Sequence, residues 1–104
     1  RKNMECNITV YDLKDQWDKQ RGKCPYTGWF LELPTSSTHP ARTIRRASID
    51  RIDSTRGYVL GNIQFVAHAA NLAKSVYKQA EIEEFFGAVA KNYLERSNTS
   101  TGSI

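Results

Sequence analysis

Histidine and cysteine are scarce in this chain of 104 residues, two of each, and methionine, with one, and proline, with three, are scarcer than usual. Each shortage excludes something. Cys6 and Cys24 lie 18 residues apart with no Cys-x-x-Cys pair, so neither a zinc knuckle nor a disulfide framework is indicated, and both thiols read as structural or incidental. With only His39 and His68 available, any imidazole base must be one of two residues. No apolar run approaches the ~20 residues of a membrane span, and no signal-peptide pattern opens the chain. A cytoplasmic, intracellular protein is expected, with no membrane partner. The absence of an initiating Met points to a processed chain or to a piece of a longer one that carries additional domains.

What is present is ordinary for a small folded domain: 39% apolar and 25% charged residues, with no repeat and no break that would separate two domains. Fifteen Lys and Arg against eleven Asp and Glu leave a net charge of +4, which is consistent with a polyanionic partner without requiring one. Residues 1–8 read as a polar, frayed arm, 9–96 as the folded domain and 97–104, rich in Ser, Thr and Gly, as a disordered tail.

Thr9 followed by Asp12 is a capping box, and it opens a helix that runs to about Gln20 with Val10, Leu13 and Trp17 on its core face. Gly22 ends that helix. KCPYTG then turns the chain into WFLEL, a short strand whose Trp29 and Leu31, or Phe30, cover the core. PTSSTHP, Pro34 to Pro40, is a polar loop, and Arg42, Arg45 and Arg46 follow it. Three arginines on the approach to a candidate site are placed to grip a phosphodiester backbone, although the same cluster also reads as a solvated basic loop. Near the end, Ile82, Phe85, Phe86, Val89 and Tyr93 recur at three and four residues and predict an amphipathic packing helix.

The organising stretch is Ala47 to Lys74, ASIDRIDSTRGYVLGNIQFVAHAANLAK. ASIDRID is β-like, Ser54 to Gly57 is turn chemistry, and YVLGNIQFV is a second β-rich run interrupted by Gly61 and Asn62. AHAANLAKS loses the β-branched bias and reads as a short helix. A hairpin packed on a helix sets Asp50 of the first strand opposite Asn71 of the helix. Both offer hard oxygen ligands, which suit Mg²⁺ or Mn²⁺. The predicted fold is therefore a small α+β domain, with this unit flanked by an N-terminal and a C-terminal helix.

These residues resemble the ββα-metal core of the HNH endonucleases, in the variety found in phage and mobile-element proteins. Asp50-Arg51-Ile52 is similar to the family's Asp-His-Ile, Gly61-Asn62 to its central Asn, and Asn71 to its closing ligand, at spacings of 12 and 9 residues. GKCPYTGWFLEL resembles the Cys-x-x-Thr-Gly segment that precedes this core. The resemblance covers roughly Leu13 to Phe86. It implies a metal-dependent endonuclease acting on DNA, with one divalent cation, Mg²⁺ or Mn²⁺, held by Asp50 and Asn71. It implies further that Asn62 holds the loop, and that Arg45, Arg46, Arg56 and Lys74 contact phosphate alongside Arg42. A homodimer or a further domain would supply specificity that one module this small lacks.

One position departs from the family. Arg51 stands where the family places the His that activates water, and a guanidinium cannot accept that proton. Arg51 is left with stabilising charge on the scissile phosphate. His68, three residues before Asn71, becomes the nearest base candidate, with His39, Asp53 and Tyr58 behind it. Strict alternation also puts Asp50 and Arg51 on opposite strand faces unless a bulge intervenes. Two rivals to the enzyme follow: a DNA-binding module that keeps the scaffold and no longer cuts, and a structural or protein-interaction domain with incidental charge.

Overall fold

A computed structural model describes residues 5–33 and 43–102. The elements run α1 (Val10–Gln20), β1 (Ala47–Arg51), β2 (Ile63–Ala67), α2 (His68–Lys74) and α3 (Gln79–Gly102). This is the expected small α+β domain, and β1, β2 and α2 form a ββα unit. The predicted loop 34–40, with His39, and the neighbouring Arg42 lie outside the described residues. No helix among the described residues is long and apolar enough to cross a membrane.

Helix α1 starts where the capping box places it. The Thr9 hydroxyl accepts from the Asp12 amide at 3.2 Å, and the Asp12 carboxylate accepts from the Thr9 amide at 2.9 Å. Arg21 in the left-handed region closes the helix, returning its N–H to the carbonyls of Asp18 and Trp17, and Gly22 follows with φ +69°. The expected core face is correct for Leu13 and Trp17, which pack on the central cluster. Val10, the first residue of the helix, is instead exposed.

The hairpin is antiparallel with an unbroken register, Ala47 opposite Ala67 through Arg51 opposite Ile63, and contains no bulge. Two strands alone leave edges unpaired, and side chains close the outer edge of β2. Gln20 of α1 donates to the Phe65 carbonyl and accepts from the Phe65 amide, both at 2.8 Å, as a neighbouring strand would. The Cys24 sulfur accepts from the Ala67 amide at 3.3 Å, which gives this buried thiol a structural place. Cys24, Leu31, Phe65, Val66, Ala67 and Ala70 form the core, and the Trp17 ring meets Phe65 edge-on at 5.2 Å.

Three expectations meet a different arrangement. WFLEL is not a regular strand but makes isolated bridges, Lys23 to Phe30 and Glu32 to Arg46, that lead the chain onto β1. Of the arm expected to fray, Glu5 to Asn7 is pinned: Tyr58 donates to the Glu5 carbonyl at 2.8 Å and Asn7 donates to the Tyr58 carbonyl at 3.1 Å. In α3, Ile82 is buried and Phe86 half-buried, but Phe85, Val89 and Tyr93 are each more than half exposed, and the helix continues past Ser97 to Gly102.

Candidate functional site: a buried polar row in the ββα unit

Ser48 and Asp50 share one face of β1, two residues apart, and α2 lies across that face. Asn71 and Lys74 sit one turn apart on the helix and meet this row. The Asn71 carboxamide donates to the Ser48 hydroxyl at 2.7 Å. Lys74 reaches the next position and donates to Asp50 Oδ2 at 2.8 Å. A helix rises ~4.5 Å over three residues and a strand ~6.8 Å over two, so the longer side chain must cover the longer reach. Lysine does.

Lys74 is the most unusual residue of the chain. It is 1% exposed, and its ammonium also donates to the carbonyls of Arg51 at 2.6 Å and Ile52 at 3.0 Å. An ammonium has three protons, and here each has an acceptor. Asp50, 5% exposed, takes a second bond on the same oxygen, from Gln64 at 2.9 Å across the hairpin. From Gln64 the polar row continues to the Tyr26 hydroxyl, which accepts from Gln64 at 3.2 Å and from Gln79 of α3 at 2.6 Å. Burial pushes the Tyr26 phenol above its ordinary value, and the two carboxamide donors oppose that shift.

Asn62 is buried and ties the hairpin loop. Its oxygen accepts from the Asp53 amide at 2.8 Å, and its nitrogen donates to the carbonyls of Asp53 at 3.1 Å and Gly57 at 2.9 Å. The loop folds further on Asp53, whose carboxylate accepts from the Thr55 hydroxyl at 2.6 Å and the Thr55 amide at 2.9 Å. Those two donors, the hydroxyl first, hold the Asp53 carboxyl below its ordinary value.

The remaining expected site residues are dispersed. Arg51 points away from Asp50, donating to the Arg56 carbonyl at 3.1 Å with its guanidinium 5.4 Å from the Tyr58 ring centre. With no bulge in the ladder, Asp50 and Arg51 do not converge. His68 opens α2, giving its amide to the Arg46 carbonyl at 2.9 Å, while its ring Nδ1 is buried without a partner. Arg45 is exposed and lies over the Trp29 ring at 4.5 Å. Arg46 is half-buried with an unpartnered Nε, and Arg56 is exposed beside Glu5. Lys74, expected at a phosphate, faces inward.

Sequence reasoning missed Ser48, Gln64 and Tyr26. Two of them had a signal: Ser48 is two residues before Asp50 on the same strand face, and Gln64 is Asp50's cross-strand partner once the hairpin register is set.

Whether these residues suit a divalent ion turns on the donors. Among the described residues no group of three His, Cys, Asp or Glu side chains converges. That alone decides little, because the expected pair is one Asp and one Asn. Asp50 Oδ2 faces a buried ammonium, and Asn71 donates to Ser48 through its N–H, which leaves its carboxamide oxygen and Asp50 Oδ1 outside these bonds. Arranged in this way, Asp50 already serves a cation through one oxygen. Compared with known proteins, the chain matches no family model, no curated protein and no solved structure.

Proposed function

We propose that this chain is a nucleic-acid-binding module on a ββα scaffold of the HNH kind, one that grips the phosphodiester backbone of DNA without cutting it by metal-dependent hydrolysis. The observation that carries the reading is the buried Lys74–Asp50 pair at 2.8 Å, which commits to an internal cation the carboxylate that a nuclease would commit to its ion. The rest of the scaffold supports it. Asn62 ties the loop in the role the resemblance gives it, Arg51 stands where a water-activating imidazole would be needed, and Arg45 and Arg56 remain at the surface of a chain with net charge +4. Contacts of this kind predict affinity that falls steeply with salt rather than sequence choice.

The second reading is the metal-dependent endonuclease, and one observation favours it: Asp50, Asn62 and Asn71 stand in the same ββα unit at the family's spacing. It requires Lys74 to give up Asp50. One experiment separates the two. Purified chain is mixed with supercoiled plasmid in Mg²⁺, Mn²⁺ or EDTA, beside Asp50→Asn, which keeps an acceptor for Lys74. Salt-dependent binding with no nicking in any buffer is the expected result. Metal-dependent nicking that Asp50→Asn abolishes overturns it in favour of the enzyme, and no binding at any salt overturns both.

A further inference from the structure

The geometry points to Lys74 as the resident cation of the ββα core. Its ammonium, tethered to α2, takes the place at Asp50 that the family resemblance gives to a divalent ion, so the core carries its own counter-charge and needs no metal. This rests on the binding-module reading and extends it to what the centre holds.

The site is built for a cation. Asp50 Oδ2 and the carbonyls of Arg51 and Ile52 surround the ammonium at 2.8, 2.6 and 3.0 Å, three hard oxygens and no nitrogen or sulfur. The two carbonyls belong to the segment where β1 leaves the hairpin ladder. The Ile52 amide still pairs with the Asn62 carbonyl at 2.9 Å, and the neighbouring Asp53 amide is held by the Asn62 side chain. The cradle is thus fixed by the same loop tie that the resemblance assigns to Asn62.

Its occupant is equally fixed. At 1% exposure the Lys74 side chain has no solvent position to relax into without opening the contact between α2 and the hairpin. Asp50 is the carboxylate bonded to the ammonium, and exposed Asp53 feels the same charge from farther off. A divalent ion beside them would put three positive charges on a single buried negative one in a poorly solvated space, an arrangement that desolvation penalises severely.

The test uses Mn²⁺ alone as probe, followed by electron paramagnetic resonance on the full chain, on Asp50→Asn, on Lys74→Ala and on Lys74→Ala/Asp50→Asn. The wild-type chain is expected to take up no Mn²⁺ that depends on Asp50. Lys74→Ala, which empties the three-oxygen cradle, is expected to bind at least about tenfold more tightly, and the double variant to lose that gain. Asp50-dependent Mn²⁺ uptake by the wild type overturns the inference, and so does a folded Lys74→Ala that gains nothing. Should Lys74→Ala fail to fold, the wild-type Lys74 ammonium resonance in ¹⁵N-detected NMR decides. A slowly exchanging signal unmoved by Mn²⁺ upholds the inference, and broadening by substoichiometric Mn²⁺ overturns it. Failure here with plasmid binding intact leaves the binding reading standing, whereas loss of DNA binding beside a metal-free Lys74 sinks that reading alone.

Discussion

Replacing Lys74 by methionine keeps most of the side chain's length and apolar stem and removes its charge, so it isolates what the ammonium contributes. Three acceptors lose their donor at once: the Asp50 carboxylate and the carbonyls of Arg51 and Ile52. Breaking a buried ion pair by deleting one partner typically costs about 3–5 kcal/mol, because the survivor stays buried and uncompensated. A domain of this size has a total stability on the order of 5–15 kcal/mol, so Lys74→Met should remove about a fifth of it or more. At roughly 4–8 °C per kcal/mol for a small domain, the thermal midpoint should fall by more than 10 °C. The partner variant supplies the control. Asp50→Asn/Lys74→Met has no buried charge left and should regain about half or more of the loss. Urea unfolding of the four proteins, wild type, two singles and the double, gives the coupling directly. A Lys74→Met loss below about 1 kcal/mol would refute the reasoning, since only a solvated ammonium could be removed so cheaply.

Asn62→Ala should cost about 2–3 kcal/mol in urea unfolding, because three bonds to the hairpin loop are lost and the Asp53 amide is stranded; a neutral result would mean that the loop holds itself. Gly57→Ala should detach the N-terminal segment, since an added Cβ would fall on the Glu5 backbone, and faster hydrogen exchange at the Asn7 and Tyr58 amides is the readout. The Asp53 carboxyl sits below its ordinary value of 3.8, so its contribution to loop stability is present above that pH and is lost as pH falls through the depressed value. An NMR titration of the Asp53 side chain should show Thr55→Val raising its pKa, and an unmoved titration would mean that the Thr55 hydroxyl is not the cause.

The parts of the fold that could be read from the sequence are those whose cause is local. Thr9 and Asp12 set the start of α1 because a capping box satisfies its own donors within four residues. Ser54 to Gly57 marked the hairpin loop through turn chemistry, whereas Asn62's hold on it was implied by the family resemblance alone, since Gly-Asn is by itself an ordinary loop pair. The parts that could not be read are set by long-range packing. Phe85, Val89 and Tyr93 carry the period of a buried helix face, yet that period says nothing about how far the domain body extends beneath it, and here cover reaches Ile82 and Phe86. Gln20 looked like the polar end of a helix, and only its position beside β2 turns it into a substitute strand.

The candidate site shows the same division at finer scale. That Asp50 faces the helix across the hairpin was legible from alternation, as was the consequence that Arg51 faces the other way, and the unbroken ladder from Ala47 to Arg51 preserves both. What alternation does not specify is which turn of the helix arrives opposite Asp50. A shift of one turn decides between an amide oxygen and an ammonium, and therefore between a ligand for a metal and a replacement for one. Lysine is almost never fully buried unless paired, so in a seven-residue helix it reads as a solvent residue until the partner 24 positions earlier is placed beside it. Once that pair exists, the departure at Arg51 ceases to be isolated. On the proposed reading, a centre whose counter-charge is supplied by Lys74 holds no divalent ion at the scissile phosphate, and a base at position 51 would activate water with no ion to stabilise the charge that its attack develops. The Arg51 departure and the Lys74–Asp50 pair should therefore be tested together: Arg51→His alone should not confer Mn²⁺-dependent nicking, because it restores the base while Lys74 still occupies Asp50.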